Sequence, residues 1–116
     1  MTVLAALAAC KPPPQSRHIG DQSTMARGKQ VIAQAGCGAC HEIPGVAWPR
    51  GKLGPSLMNY DDIGFIAGSR PASIATLATF VRDPRSVRPD STMPAMPISE
   101  ADARAVATYL YGQDDD

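Results

Sequence analysis

The chain has 116 residues, enough for one domain built on one modest core. Eleven Lys and Arg balance eleven Asp and Glu, and a neutral sum gives no reason to expect nucleic acid as a partner. Aromatic residues make up only 5%, while ten Gly and eleven Pro point to many turns, and a core this poor in rings gains from a bulky apolar group.

The first ten residues, "MTVLAALAAC", form an apolar run that ends in Leu7-Ala8-Ala9-Cys10. Small residues before a cysteine resemble a bacterial lipobox. On that reading residues 1–9 are a short lipoprotein signal segment without a basic n-region, and Cys10 carries acyl chains. Buried hydrocarbon at ~0.8 kcal/mol per CH₂ makes several chains a firm anchor. No other stretch approaches the ~20 apolar residues of a membrane span. "KPPPQ" (Lys11–Gln15) is stiff and extended, so residues 10–20 read as a tether that lifts a domain off a surface.

The domain proper spans residues 21–113. "DQSTMARGKQVIAQAG" predicts a helix with Asp21 or Ser23 as N-cap and Gly36 as its stop. Met25, Gly28, Val31 and Ile32 fall on one face. From Pro44 to Pro71 there is no period, which reads as loop with a helical turn around Leu57–Asp61. "SIATLATFVRD" places Ile74, Leu77, Ala78 and Val81 on one helical face, and Pro84 should stop that helix. "VRPDSTMPAMP" reads as extended loop. "SEADARAVATYLYG" is the clearest helix. Ser99 is its N-cap, Asp102 sits at N3 as in a shortened capping box, Ala103, Val106, Ala107 and Leu110 form its buried stripe, and Gly112 ends it. The last three residues, Asp114, Asp115 and Asp116, read as a solvated acidic tail. Without them eleven acidic groups become eight, so the body is slightly basic. No strand pattern and no internal repeat is visible, and the expectation is a small, loop-rich, all-α domain of about three to five helices.

The chemistry centres on "GCGACHEIPG". Cys37-x-x-Cys40-His41 has the spacing of a c-type haem attachment site. Two thiols one short turn apart can add to the two vinyl groups on one porphyrin edge, and the next residue then offers a ring nitrogen to the iron. Zinc needs about four ligands. Cys37, Cys40 and His41 supply three, and the one remaining histidine, His18, lies in an irregular stretch. A thioredoxin-like redox pair would want a βαβ pattern. Cysteine arithmetic fits haem, because Cys10 to lipid and Cys37 and Cys40 to haem leaves no odd thiol. For the opposite face of the iron the sulfur candidates are Met25, Met58, Met93 and Met96. Met25 and Met58 read as packing. Met93 and Met96 lie in a loop that prolines stiffen, and His18 would give a bis-His haem.

Taken together, the chain from about Asp21 to Gly112 resembles a class I cytochrome c. The resemblance rests on Gly28 followed by the apolar pair Val31 and Ile32, on "CGACH" and "LGPSL", on the middle helix, on the Met-Pro loop and on the closing "VATYL". More narrowly, "CGACHEIPG", "IAG", "FVRDPRSVRPDSTMP" and "SEADARAVATYLYG" look like the cytochrome c domain of caa3-type oxidase subunit II and its free-standing lipoprotein relatives. The resemblance implies the cytochrome c fold around one covalent haem c. It makes Cys37 and Cys40 the thioether residues, His41 the proximal ligand and Met93 the distal one, so that His41 and Met93 hold the metal. It implies that the Pro55 carbonyl takes the other N–H of His41, that Met96 is packing, and that Gly28 lets the first and last helices cross near Tyr109 and Leu110. Trp48 and Arg70 are candidates for the haem propionates, or else a packing indole and an exposed cation. Ile32, Phe80 and "GSRPAS" depart from the commoner pattern at packing positions.

An iron held on both faces by protein has no open position for substrate, which favours one-electron transfer over catalysis. No Ser/His/Asp group, carboxylate pair or phosphate loop is visible, so no enzyme activity, nucleic acid or small-molecule substrate is expected. The expectation is a carrier on the periplasmic side of a bacterial membrane, anchored through Cys10. It would meet redox proteins, a terminal oxidase or a periplasmic dehydrogenase, through small transient interfaces. Two alternatives are a fixed haem subunit of an oxidase or dehydrogenase complex, and a haem sensor in which Met93 yields to a gas.

Overall fold

The computed structural model describes residues 22–58, 65–66, 70–71 and 73–112. Helix α1 spans Gln22–Ala35 and buries Gly28, Val31 and Ile32, the expected face. Met25 is half-buried against the same core. Ser23 is no N-cap, since the helix already begins at Gln22; Asp21 lies outside the described residues. The helix stops where Gly36 turns left-handed at φ 75°, a conformation that a side chain disfavours.

One antiparallel pair joins β1, Phe65–Ile66, to β2, Arg70–Pro71, with Phe65 opposite Pro71 and Ile66 opposite Arg70. Two residues a side are too few to show an alternation in sequence, and the domain remains all-α in class. The helical turn predicted around Leu57–Asp61 lies largely outside the described residues.

Helix α2 spans Ile74–Arg82 and buries Leu77, Ala78 and Val81. The Ser73 hydroxyl oxygen accepts the Thr76 N–H at 3.0 Å, a side-chain N-cap. Pro84 does more than stop α2. It opens α3, Pro84–Val87, whose Pro84 and Val87 are buried. Proline suits that position because the first N–H of a helix has no partner within it.

Helix α4 spans Glu100–Tyr111. The Ser99 hydroxyl accepts the Asp102 N–H at 3.1 Å, as expected. The Asp102 carboxylate, however, accepts two bonds from the Arg27 guanidinium of α1, at 3.0 and 3.1 Å. The capping residue therefore ties two helices together. Burial on α4 exceeds the predicted stripe: Ala105, Thr108 and Tyr109 join Ala103, Val106, Ala107 and Leu110. The cause is that α1 and α2 both pack on α4, from two sides. The Thr108 hydroxyl, so buried, donates to the Arg104 carbonyl at 2.8 Å.

The core gathers Val31, Ile32, Ile43, Leu77, Val81, Val106 and Leu110 around this crossing. Each such side chain contributes about 1.5–3 kcal/mol by leaving water. Gly28 sits at the contact. A Cβ there would meet the Ala105 carbonyl and come within 2.9 Å of the Tyr109 Cβ. The close crossing read from the sequence is present, with Ala105 as the nearest neighbour. Among the described residues no helix is long and apolar enough to cross a membrane.

Candidate functional site

Directly after Gly36, Cys37–Ala39 wind into a single 3-10 turn. The Cys37 carbonyl accepts both the Cys40 and the His41 N–H, at 3.2 and 3.1 Å. That tight turn sets the two thiols of the motif on one short piece of backbone. Both cysteines are free and half-buried. Burial pushes the Cys37 thiol above its ordinary pKa, so it is neutral at physiological pH. Each thiol would hold a vinyl-bearing group by a thioether, its S–H adding across one double bond.

His41 is fixed from the far side of a loop. Its Nδ1 lies 2.7 Å from the Pro55 carbonyl. A carbonyl only accepts, so Nδ1 carries the proton and Nε2 keeps its lone pair for a metal. Pro55 is the residue whose carbonyl the resemblance places on this ring nitrogen, and the contact is made. Backbone bonds hold the loop in place. Gly51 N–H donates to the Gly38 carbonyl at 2.8 Å, Gly54 N–H to Cys40 at 2.7 Å and Leu57 N–H to Glu42 at 2.8 Å. The approach is so close that a Cβ on Gly54 would strike the imidazole.

A second tie was not legible in the sequence. The buried Tyr109 hydroxyl of α4 donates to the Pro44 carbonyl, three residues past His41. The available signal was a tyrosine on a buried helical face, since a buried phenol needs a polar partner.

The candidate sulfur ligands separate by environment. Met96 packs on the core, and its N–H donates to the Val81 carbonyl at 3.0 Å. Met93 is half-buried and outside that core cluster, with its N–H on the Ser91 hydroxyl at 3.3 Å. Met25 packs, as expected. Met58 is 42% exposed and follows the loop that is bonded to the attachment turn. Trp48 is 85% exposed, and Leu53 beside Gly54 is 89% exposed. Cys10, His18 and the side chain of Arg70 lie outside the described residues.

Two half-buried thiols, an imidazole with a free Nε2 and apolar chains on the adjoining loop fit a flat apolar group that bears a metal and is fixed through sulfur. A zinc site has less support. Among the described residues no group of three or more His, Cys, Asp or Glu is placed to hold a metal ion.

Comparison with known proteins agrees. The family model described as Cytochrome c matches residues 25–113. The chain is similar to "Cytochrome c oxidase subunit 2" of Alkalihalophilus pseudofirmus, 33% identical over 85 residues. The match covers 72% of this chain and 24% of that protein, so the chain spans about a quarter of the relative's length.

Proposed function

The chain belongs to the cytochrome c family, and from that membership we propose that it is a one-electron carrier with His41 and Met93 as iron ligands, tethered to a membrane through Cys10. The family's cofactor is haem c, and its chemistry is haem-based electron transfer. Cys37 and Cys40 would hold the haem by thioethers, and His41 Nε2 would take the iron. Bound there, the haem supplies an iron that gains and loses one electron, at a potential that His/Met ligation raises.

The chain's own residues do the positioning. Pro55 holds the proton on His41 Nδ1, which fixes the ring's tautomer and orientation. The observation that carries the reading is this imidazole, oriented by a backbone carbonyl one residue after two free thiols. Met93 is assigned to the other face on the family resemblance, and two observations support it: Met93 is half-buried outside the core cluster, whereas Met96 packs on the core. The expected partners are a terminal oxidase or a periplasmic dehydrogenase, and the expected place is the periplasmic side of a bacterial membrane.

The ferric spectrum tests this reading. A carrier shows a Met–iron charge-transfer band at neutral pH and no rapid carbon monoxide binding when reduced. Fast carbon monoxide binding would sink it in favour of a sensor. Cys10→Ser should release the protein from membranes, and retention there would count against the anchor. The relative's name supports a second reading, a fixed subunit of an oxidase complex. Co-purification with an oxidase after mild detergent extraction would favour that reading over a free shuttle.

A further inference from the structure

The loop that carries Met93 runs between α3 and α4 without regular structure. Its far end is fastened at two points, both in the last turn of α2. The Val81 carbonyl accepts the Met96 N–H at 3.0 Å. Next to it, Arg82 Nε donates to the Ile98 carbonyl at 3.1 Å. Ile98 N–H donates back to the Met96 carbonyl at 2.9 Å, so the two fastened residues form one tight turn.

The arrangement uses groups that α2 has to spare. Carbonyls in the last turn of a helix lack intrahelical donors, and Val81 supplies one of them. A cation in that turn commonly serves its own helix end. Arg82 reaches instead to a residue sixteen positions on. The α1 side of the same segment is different. There a groove of about 320 Å³ separates Val31, Gln34 and Ala35 from Pro97, Ile98 and Asp102. The polar fastening of the loop's end comes from α2.

We infer that Arg82 is a positioning residue for the iron site: by holding the Ile98 carbonyl it keeps the Met93 loop against α2 and suppresses the open state in which an outside ligand displaces the methionine. The inference rests on Met93 ligation as proposed above. Displacement of Met93 requires the loop to open first, so the apparent affinity of an outside ligand follows the open population. One intramolecular hydrogen bond shifts such an equilibrium by about three- to tenfold.

The test titrates imidazole into the ferric holoprotein at neutral pH and reads loss of the Met–iron band. Arg82→Ala should tighten the imidazole Kd about three- to tenfold. Arg82→Lys keeps a donor on a long stem and should recover part of the difference. Ile32→Val, a buried change on α1, should lower stability and leave this Kd at the wild-type value. Amide exchange supplies a readout that does not involve iron. In Arg82→Ala the Met96 and Ile98 amides should exchange faster by a similar factor, while α1 amides keep their protection. Unchanged Kd with unchanged Met96 exchange overturns the inference, as does an Ile32→Val variant that moves Kd as far as Arg82→Ala. A Met–iron band that survives Met93→Ala would overturn the ligation reading instead, and Met96 exchange would still decide whether Arg82 fastens the loop.

Discussion

His41 and Pro55 stand fourteen residues apart in sequence and 2.7 Å apart in space, imidazole Nδ1 to carbonyl oxygen. Gly54 makes this contact possible, because its Cα approaches the ring with no room for a methyl group. Gly54→Ala should therefore push the imidazole off Pro55 and destabilise the folded protein by about 1–3 kcal/mol. Guanidinium unfolding of the holoprotein measures this, and a wild-type midpoint would mean that the ring moves aside at no cost.

Met93 and Met96 should respond in opposite ways. Met93→Ala is expected to abolish the Met–iron band while haem stays covalently attached. Met96→Ala should keep the band and lower stability by about 1–3 kcal/mol, below the cost of a fully buried methionine because Met96 is half-buried. The reverse pattern in the spectra would assign the ligand to Met96.

Gly28→Ala tests the helix crossing. A methyl group there meets the α4 backbone at the Ala105 carbonyl, which cannot swing away as a side chain can. The helices must separate, at a cost of about 3 kcal/mol or more. Thermal unfolding should show a large fall in midpoint. A midpoint close to wild type would mean that α1 and α4 do not cross this closely in solution.

Tyr109→Phe removes the hydroxyl that serves Pro44 and should cost about 1–3 kcal/mol, since the buried carbonyl loses a partner. Burial also raises the Tyr109 phenol above its ordinary pKa of 10.0. Above about pH 10 the unfolded chain has released this proton while the folded chain retains it. The stability from this group is whole below that pH and falls as pH climbs toward the folded value. The gap between wild type and Tyr109→Phe should thus narrow above about pH 10. Unfolding free energies that stay parallel into strong alkali would contradict this.

Much of the helical frame was legible because long helices repeat a pattern. Gly28 and Ile32, Leu77 and Val81, and Val106 and Leu110 recur at helical spacing, and each pair is buried. The attachment turn was legible because its chemistry demands adjacent residues. What stayed hidden has no local period. Pro84 reads the same as a helix stop and as a helix start, and only the burial of Pro84 and Val87 decides. Asp102 looked like half of a capping box, yet its carboxylate binds Arg27, 75 residues away in sequence. Met58 resembles a core residue in composition, but its exposure depends on where the loop lies. The two ties from α2 to the Met93 loop and the tie from Tyr109 to Pro44 run through backbone carbonyls, which every residue possesses and no sequence pattern marks.

The crossing of Gly28 with Ala105 joins the first and last helices of the described fold. A chain made from its N-terminus has both cysteines long before it has α4. Neither α1 nor α2 can bury its apolar face until α4 arrives, because both pack on it. Such a long-range contact must repay the loop-closure entropy of the chain between the two helices. The last helix of the described fold is thus its keystone, the one surface on which the other two long helices close.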